Sequence, residues 1–151
     1  MININLKKIV YKFEPEQILC VFRSFLFEKK IVFISASKAF LTEAIYAFLS
    51  FIYPLKYQFQ ISSILPNEYF ELLENVTPFI FGINDMNFNM RDSAYEDIYF
   101  IKDFGERVSL SPNFTPEEGN TKERDNFPDF PKSLKKTFIE TFTKLKRKGE
   151  C

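Results

Sequence analysis

Histidine is absent from this sequence of 151 residues. Its absence excludes Ser-His and Cys-His nucleophile pairs, zinc sites with histidine ligands and the most common general base of enzymes. Glycine occurs only four times, and neither a Walker A loop nor a dinucleotide-binding glycine pattern is present. From these absences we predict no catalytic residue, no metal site and no cofactor.

The sequence also lacks an excess of charge and a long apolar run. Its 20 basic residues balance its 20 acidic residues, so no overall field attracts nucleic acid. The longest apolar run, residues 44–55, is interrupted by tyrosine and serine and is too short to span a bilayer. Cys20 and Cys151 are interpreted as free thiols of a reducing compartment. We therefore predict a soluble, cytoplasmic protein that does not bind nucleic acid.

Hydrophobic residues make up 46% of the sequence and occur at both helix and strand spacing. Glu14, Pro15 and Glu16 are typical of a helix start, and a second helical pattern follows from Lys38. Between them, residues 30–36 predict a strand buried on both faces. Further strands are predicted at 57–65, 78–83, 97–104 and 107–110, and further helices at 67–73 and 132–148. Alternating strands and helices predict a single α/β domain over residues 1–151, a layered sandwich with a central, mostly parallel β-sheet flanked by helices.

Polar segments separate the later elements. Residues 84–96 predict a loop with at most one helical turn, and residues 111–131 predict an exposed loop because they are rich in proline and charge. The acidic pairs Glu14 with Glu16 and Glu117 with Glu118 lie at a helix start and in this loop, where carboxylates are normally solvated. The basic residues of the C-terminal helix form either a patch for a membrane or acidic partner, or a solvated face, which we favour.

Five blocks of the sequence resemble, in order, the core segment of the DENN domain. They are residues 26–35 (LFEKKIVFIS), 51–58 (FIYPLKYQ), 64–66 (ILP), 77–83 (TPFIFGI) and 127–131 (FPDFP) with the basic helix that follows. Tyr57 and Phe59 stand where the family usually has Trp and His, and a proline expected near Ser63 is missing. The family's acidic pair is reduced to Asp103, with Lys102 beside it. The chain thus resembles a divergent core, the C-terminal lobe, of a DENN module.

The resemblance implies the core lobe of a guanine-nucleotide exchange factor for a Rab-family small GTPase. Such factors hold the GTPase between an N-terminal longin-like lobe and the core lobe, and bind its nucleotide-free state preferentially. The implied partners are therefore a Rab-type GTPase and a longin-like lobe, which is absent from these residues and would act in cis or in trans. Association with endomembranes is at most peripheral. We expect little or no exchange activity from this chain alone.

Partner-interface residues are predicted from a rule for open α/β sheets, which places functional loops beyond the carboxyl ends of the strands. By that rule the candidates are Ser35, Ser37 and Lys38 after the first strand, and Asn67 and Glu68 after the second. The alternative interpretation is that these residues only cap helices.

Two other functions stay open at the level of sequence. A DENN-like scaffold or interaction lobe in a trafficking or GTPase-regulating complex would bind a partner without exchanging nucleotide. A small hydrolase or transferase would need a concave pocket lined by two converging carboxylates or by a serine–lysine pair.

Overall fold

The computed structural model describes residues 12–114 and six later residues, Ser133, Lys136, Thr137, Glu140, Thr141 and Lys144. Within residues 12–114 the elements are helix α1 (Pro15–Leu26), strand β1 (Ile31–Ile34), helix α2 (Lys38–Phe51) and strands β2 (Gln60–Ser62), β3 (Phe79–Ile83), β4 (Tyr99–Asp103) and β5 (Val108–Leu110). Short 3-10 helices cover Asn67–Glu74, Ser93–Tyr95 and Pro112–Phe114.

These strands form one sheet of five strands in the order β2-β3-β1-β4-β5. Strand β1 is parallel to both of its neighbours, β3 and β4, and β2 is parallel to β3. Strand β5 pairs with β4 antiparallel through a hairpin in which Gly105 has a φ of 98°. The sheet confirms the predicted α/β fold and the predicted hairpin. Because the chain runs from β1 to one side of the sheet and later to the other, β1 lies at its centre.

Both of these α-helices pack on one face of the sheet. Glu14 donates its backbone N–H to the side chain of Gln17, which holds the first turn of α1. Ser37 caps α2, since its Oγ accepts a hydrogen bond from the N–H of Phe40 at 3.2 Å. The core between helices and sheet is rich in phenylalanine, including Phe13, Phe25, Phe33, Phe40 and Phe48.

The other face of the sheet is covered by the 3-10 helix Asn67–Glu74 and by residues 84–98, which cross from β3 to β4. Side chains alternate along a strand, so Val32 and Ile34 of β1 point to this face while Ile31 and Phe33 point to the helices. Residues 84–96 contain one short 3-10 turn, as the sequence predicts. The sheet is thus buried on both faces, which explains why β1 and β3 are continuous apolar runs.

The predicted loop over residues 111–131 differs from the structure at its start. Pro112–Phe114 is a 3-10 helix, and Phe114 is only 1% exposed because its ring packs against Tyr99, with the ring centres 5.0 Å apart. One buried aromatic side chain therefore gives this part of the stretch a regular structure, although the average composition of residues 111–131 is typical of a loop. Residues 115–131 lie outside the described residues, so the rest of that loop stays a prediction.

For the predicted C-terminal helix, residues 132–148, the structure describes only the six residues already named. All six are helical and exposed, and Thr137 and Thr141 each donate a side-chain hydrogen bond to the carbonyl four residues earlier. They are the polar positions of the predicted helix. Its apolar positions lie outside the described residues.

Candidate functional site

Polar side chains meet where the three central strands end. Ser35 follows β1, Asn84 follows β3 and Asp103 is the last residue of β4. Because these strands are parallel neighbours, their carboxyl ends lie side by side. We call this end of the sheet the carboxyl edge; it consists of Ser35, Ser37, Asn84 and Asp103 together with the loops that follow β1, β2 and β3.

Ser35 is fully buried and joins all three strands. Its Oγ donates to Asp103 Oδ2 at 2.8 Å and accepts from the N–H of Ser37 at 2.9 Å. Its carbonyl oxygen accepts from Asn84 Nδ2 at 2.9 Å, and its N–H donates to the carbonyl of Ile83 at 3.2 Å. Such buried networks fix backbone positions because an unsatisfied polar group would be costly. Ser35 therefore supports the carboxyl edge from inside and offers no surface to a partner.

Asp103 is 5% exposed, and donors surround its carboxylate. Ser35 Oγ and the N–H of Gly105 each approach within hydrogen-bond distance, at 2.8 and 2.9 Å. Lys12 Nζ lies 3.3 Å from Oδ2 and 3.4 Å from Oδ1, and also stands 4.5 Å above the ring of Phe40. A buried carboxylate is stable only when it is paired and hydrogen-bonded in this way. The arrangement makes Asp103 the acceptor at the centre of the edge.

Ser37 and Lys38, in contrast, are exposed. Ser37 occupies the N-cap of α2 and receives the N–H of Phe40, so capping accounts for its hydroxyl. Lys38 is the first residue of α2, and its side chain extends from the carboxyl edge into solvent. Of the three candidates after β1, only these two present side chains to solvent.

Asn67 and Glu68 are also exposed and begin the 3-10 helix that follows β2. Strand β2 is two strands away from β1, and this 3-10 helix covers the face of the sheet opposite to α2. The structure thus places all five predicted residues near one end of the sheet, in two groups.

Four residues of this region were missed by the sequence reasoning. Asn84 follows an apolar strand as Ser35 does, so the same rule applies to it. Ile64 and Tyr69 are large side chains that are 37% and 51% exposed beside Asn67 and Glu68. Lys12 reaches Asp103 over 91 positions of sequence, and no local pattern signals such a contact.

A second feature adjoins the carboxyl edge at Lys12 and Phe104. It is a groove of about 760 Å³ between the first turns of α1 and strand β5. Glu14 and Glu16 line it, but residues two positions apart on a helix do not face each other. Lys12, which also lines it, is bound to Asp103. The groove does not present the converging pair that the hydrolase hypothesis requires. In the described residues no cluster of three or more Cys, Asp or Glu side chains is placed to hold a metal ion.

Burial raises the pKa of Tyr57. Desolvation, and to a smaller degree the negative charge of Glu28, raises the pKa of the Tyr57 phenol well above its usual value. The Tyr57 hydroxyl is buried and has no hydrogen-bond partner among the described residues. Tyr57 is therefore a neutral packing residue. Across residues 12–114, neither of the α-helices has the length and hydropathy needed to cross a bilayer.

Comparison with known proteins relates the chain to one family. The family model of the DENN (AEX-3) domain matches residues 1–106. Over 81 residues the chain is 25% identical to DENN domain-containing protein 2A of Homo sapiens. The matched region covers 54% of this chain and 8% of that protein. Over 145 residues it is 24% identical to DENN domain-containing protein 3 of Mus musculus. The matched region covers 96% of this chain and 11% of that protein. The chain thus spans about a tenth of the length of these relatives.

Proposed function

Because this chain belongs to the DENN (AEX-3) domain family, we propose that it is the core lobe of a guanine-nucleotide exchange factor for a Rab-type small GTPase. In this role it binds the GTPase and promotes GDP release as part of a larger factor. A longin-like lobe, in cis or in trans, supplies the second half of the binding site. The complete factor acts in the cytoplasm and associates at most peripherally with endomembranes.

The observation that carries this function is the hydrogen-bonded carboxyl edge. Nucleotide exchange breaks no covalent bond, so the protein needs a firm binding surface rather than a nucleophile or general base. The bonds that Ser35 Oγ donates to Asp103 and accepts from the Ser37 N–H fix the backbone that leads into α2. A surface held in this way loses little conformational entropy when a partner binds.

The exposed residues of the edge have the composition of an interface. Tyr69 supplies a half-exposed aromatic ring, the kind of side chain that often dominates binding energy. Lys38 and Glu68 supply charges of opposite sign at its rim, and rim charges mainly set the partner and the association rate. We infer that Ser37, Lys38, Asn67 and Glu68 contact the GTPase around Tyr69.

Exchange then follows from a difference in affinity. If the complete factor binds the nucleotide-free GTPase more tightly than the GDP-bound form, the same factor lowers the affinity of the GTPase for GDP. Each tenfold preference corresponds to about 1.4 kcal/mol of coupling. Contacts from one lobe supply only part of that energy.

The test is a binding assay with this chain, and with a longer chain that includes the flanking regions of the gene. Each is immobilised and exposed to a panel of Rab proteins that are either stripped of nucleotide by chelation or loaded with GDP. We expect selective capture of one nucleotide-free Rab by the longer chain. Equal capture of both forms indicates a scaffold, and no capture by the longer chain contradicts a GTPase partner.

The surface itself is tested with a charge reversal. Lys38→Glu at the carboxyl edge should weaken capture by about tenfold, since a rim charge would then repel its partner. Lys56→Glu is the matched control: Lys56 is also exposed, but it lies before β2, at the opposite end of the sheet. Equal effects of the two variants would remove the carboxyl edge from the interface.

A further inference from the structure

The groove between α1 and β5 borders an open strand edge. Strand β5 is the last strand in the order of the sheet, so one of its edges has no neighbouring strand within residues 12–114. Helix α1 stands opposite that edge and contributes Glu16 and Cys20 to the groove, and Glu14, the residue before the helix, also lines it. The space of about 760 Å³ between them is large enough for a short extended peptide.

The hydrogen-bond pattern of the hairpin shows which backbone groups face this groove. The N–H of Phe104 donates to the carbonyl of Arg107, and the N–H of Ser111 donates to the carbonyl of Phe100, both at 2.9 Å. In an antiparallel pair, alternate residues direct both backbone groups towards the same side. Arg107 and Ser111 therefore face β4, whereas the backbone groups of Val108 and Leu110 face the groove.

One of these groups already has the kind of partner that an added strand would supply. The side-chain Nε2 of Gln17 donates to the carbonyl of Val108 at 2.8 Å, in the place of a neighbouring strand's N–H. This single side-chain amide leaves the backbone groups of Leu110 directed into the groove. A strand edge of this kind is a template for pairing with another extended segment.

The side chains around the groove define the chemistry of that segment. On the α1 side, Cys20 and Leu110 are half-buried, and Glu14 and Glu16 carry negative charge. On the opposite face of β5, Arg107 is exposed. Alternate side chains of an added strand point to these two faces, so charge complementarity selects apolar or basic residues at one set of positions and acidic residues at the other.

Phe104 adds an anchor at the end of the groove. It is 53% exposed although it is one of the larger apolar side chains of the chain, and it lines the groove next to Arg107. Exposed aromatic rings beside a concave surface often carry much of the energy of peptide binding.

We propose that this groove binds an extended peptide segment of a partner protein, which adds a strand to the sheet beyond β5. The peptide places apolar or basic side chains against Cys20, Glu14 and Glu16, and acidic side chains towards Arg107. Its backbone pairs with Leu110 and with the N–H of Val108, whose carbonyl is held by Gln17, in the manner of other strand-addition sites. The groove adjoins the carboxyl edge at Lys12 and Phe104, but none of Ser37, Lys38, Asn67 and Glu68 lines it.

The test uses the full chain and a synthetic peptide of seven residues, with valine, isoleucine or lysine at the odd positions and glutamate at the even positions. Binding is followed by nuclear magnetic resonance titration and by amide hydrogen exchange. We expect shifts that cluster at α1 and β5, and slower exchange of the Leu110 amide. The same peptide with N-methyl groups on alternate backbone nitrogens should bind at least tenfold more weakly, because it cannot pair with a strand.

A charge swap provides the control. Glu16→Lys should weaken the lysine-containing peptide on the order of tenfold, and a peptide with glutamate in place of lysine should recover affinity for that variant. Glu106→Lys carries the same substitution on an exposed hairpin residue that does not line the groove, and should have little effect. The inference would be overturned if the N-methylated peptide bound as tightly as the unmodified one. It would also be overturned if the chemical shifts changed outside the groove, or if no binding occurred at millimolar peptide. Dimerisation of the chain through β5 would overturn it as well, because the occupant would then be a second copy.

Discussion

At the scale of single residues, the carboxyl edge depends on Ser35 and Asp103. Ser35→Ala removes one donor from a carboxylate that is almost fully buried, and also removes the acceptor of the Ser37 N–H. We expect a loss of about 1–3 kcal/mol in the free energy of unfolding, since buried polar groups are left unpaired. Urea denaturation measures this loss. Ser109→Ala, at an exposed serine of β5, is the control and should change stability by less than about 0.5 kcal/mol.

For Tyr57, also at the scale of a single residue, we expect a substitution to increase stability. Its buried hydroxyl lacks a hydrogen-bond partner among the described residues, so Tyr57→Phe removes a desolvated polar group while it keeps the ring. We expect the free energy of unfolding near pH 7 to rise by roughly 1 kcal/mol. A clear loss of stability in thermal or urea unfolding would show that the hydroxyl has a partner.

The pH dependence of the free energy of unfolding, compared between the unsubstituted chain and Tyr57→Phe, is a further check. The pKa of Tyr57 is raised in the folded state by burial and by Glu28, whereas an unfolded tyrosine ionises near pH 10. Above about pH 10 the unfolded state releases this proton and the folded state retains it, so the contribution of Tyr57 to stability falls as pH rises. The stability of Tyr57→Phe should therefore fall less between pH 8 and pH 11 than that of the unsubstituted chain.

At the scale of elements, the close approach of β2 and β3 depends on Gly82. A Cβ added there would lie 2.0 Å from the carbonyl oxygen of Ser63, so backbone would have to move. Gly82→Ala should destabilise the fold by about 3 kcal/mol, at the upper end of the cost of overpacking. Gly105→Ala meets no atom within 4 Å but has a φ of 98°, so its cost should be nearer 1 kcal/mol. Urea unfolding of both variants decides the order.

The same elements show how far local sequence patterns reach. Strands β1 and β3 were predicted because continuous apolar runs are typical of strands buried on both faces. Strand β2 is shorter than the predicted 57–65, since only Gln60–Ser62 pairs with β3 and the N–H of Leu65 then bonds the carbonyl of Gly82. Ser37 and Lys38 were predicted from the end of β1. The contact from Lys12 to Asp103 was not, because it depends on tertiary structure alone.

At the scale of the whole molecule, the proposed function predicts that two lobes together bind the GTPase. In that proposal the carboxyl edge supplies one of two binding surfaces, and this chain spans about a tenth of its relatives' length. A single lobe contacts only part of a GTPase, so its preference for the nucleotide-free state is small. We expect this chain alone to accelerate release of fluorescent GDP by less than twofold. A longin-like lobe, added in trans or joined in one chain, should raise the rate of GDP release at least tenfold. In the joined chain, Lys38→Glu should reduce this increase in rate, and Lys56→Glu should not. Full acceleration by the short chain alone would show that the carboxyl edge needs no second lobe.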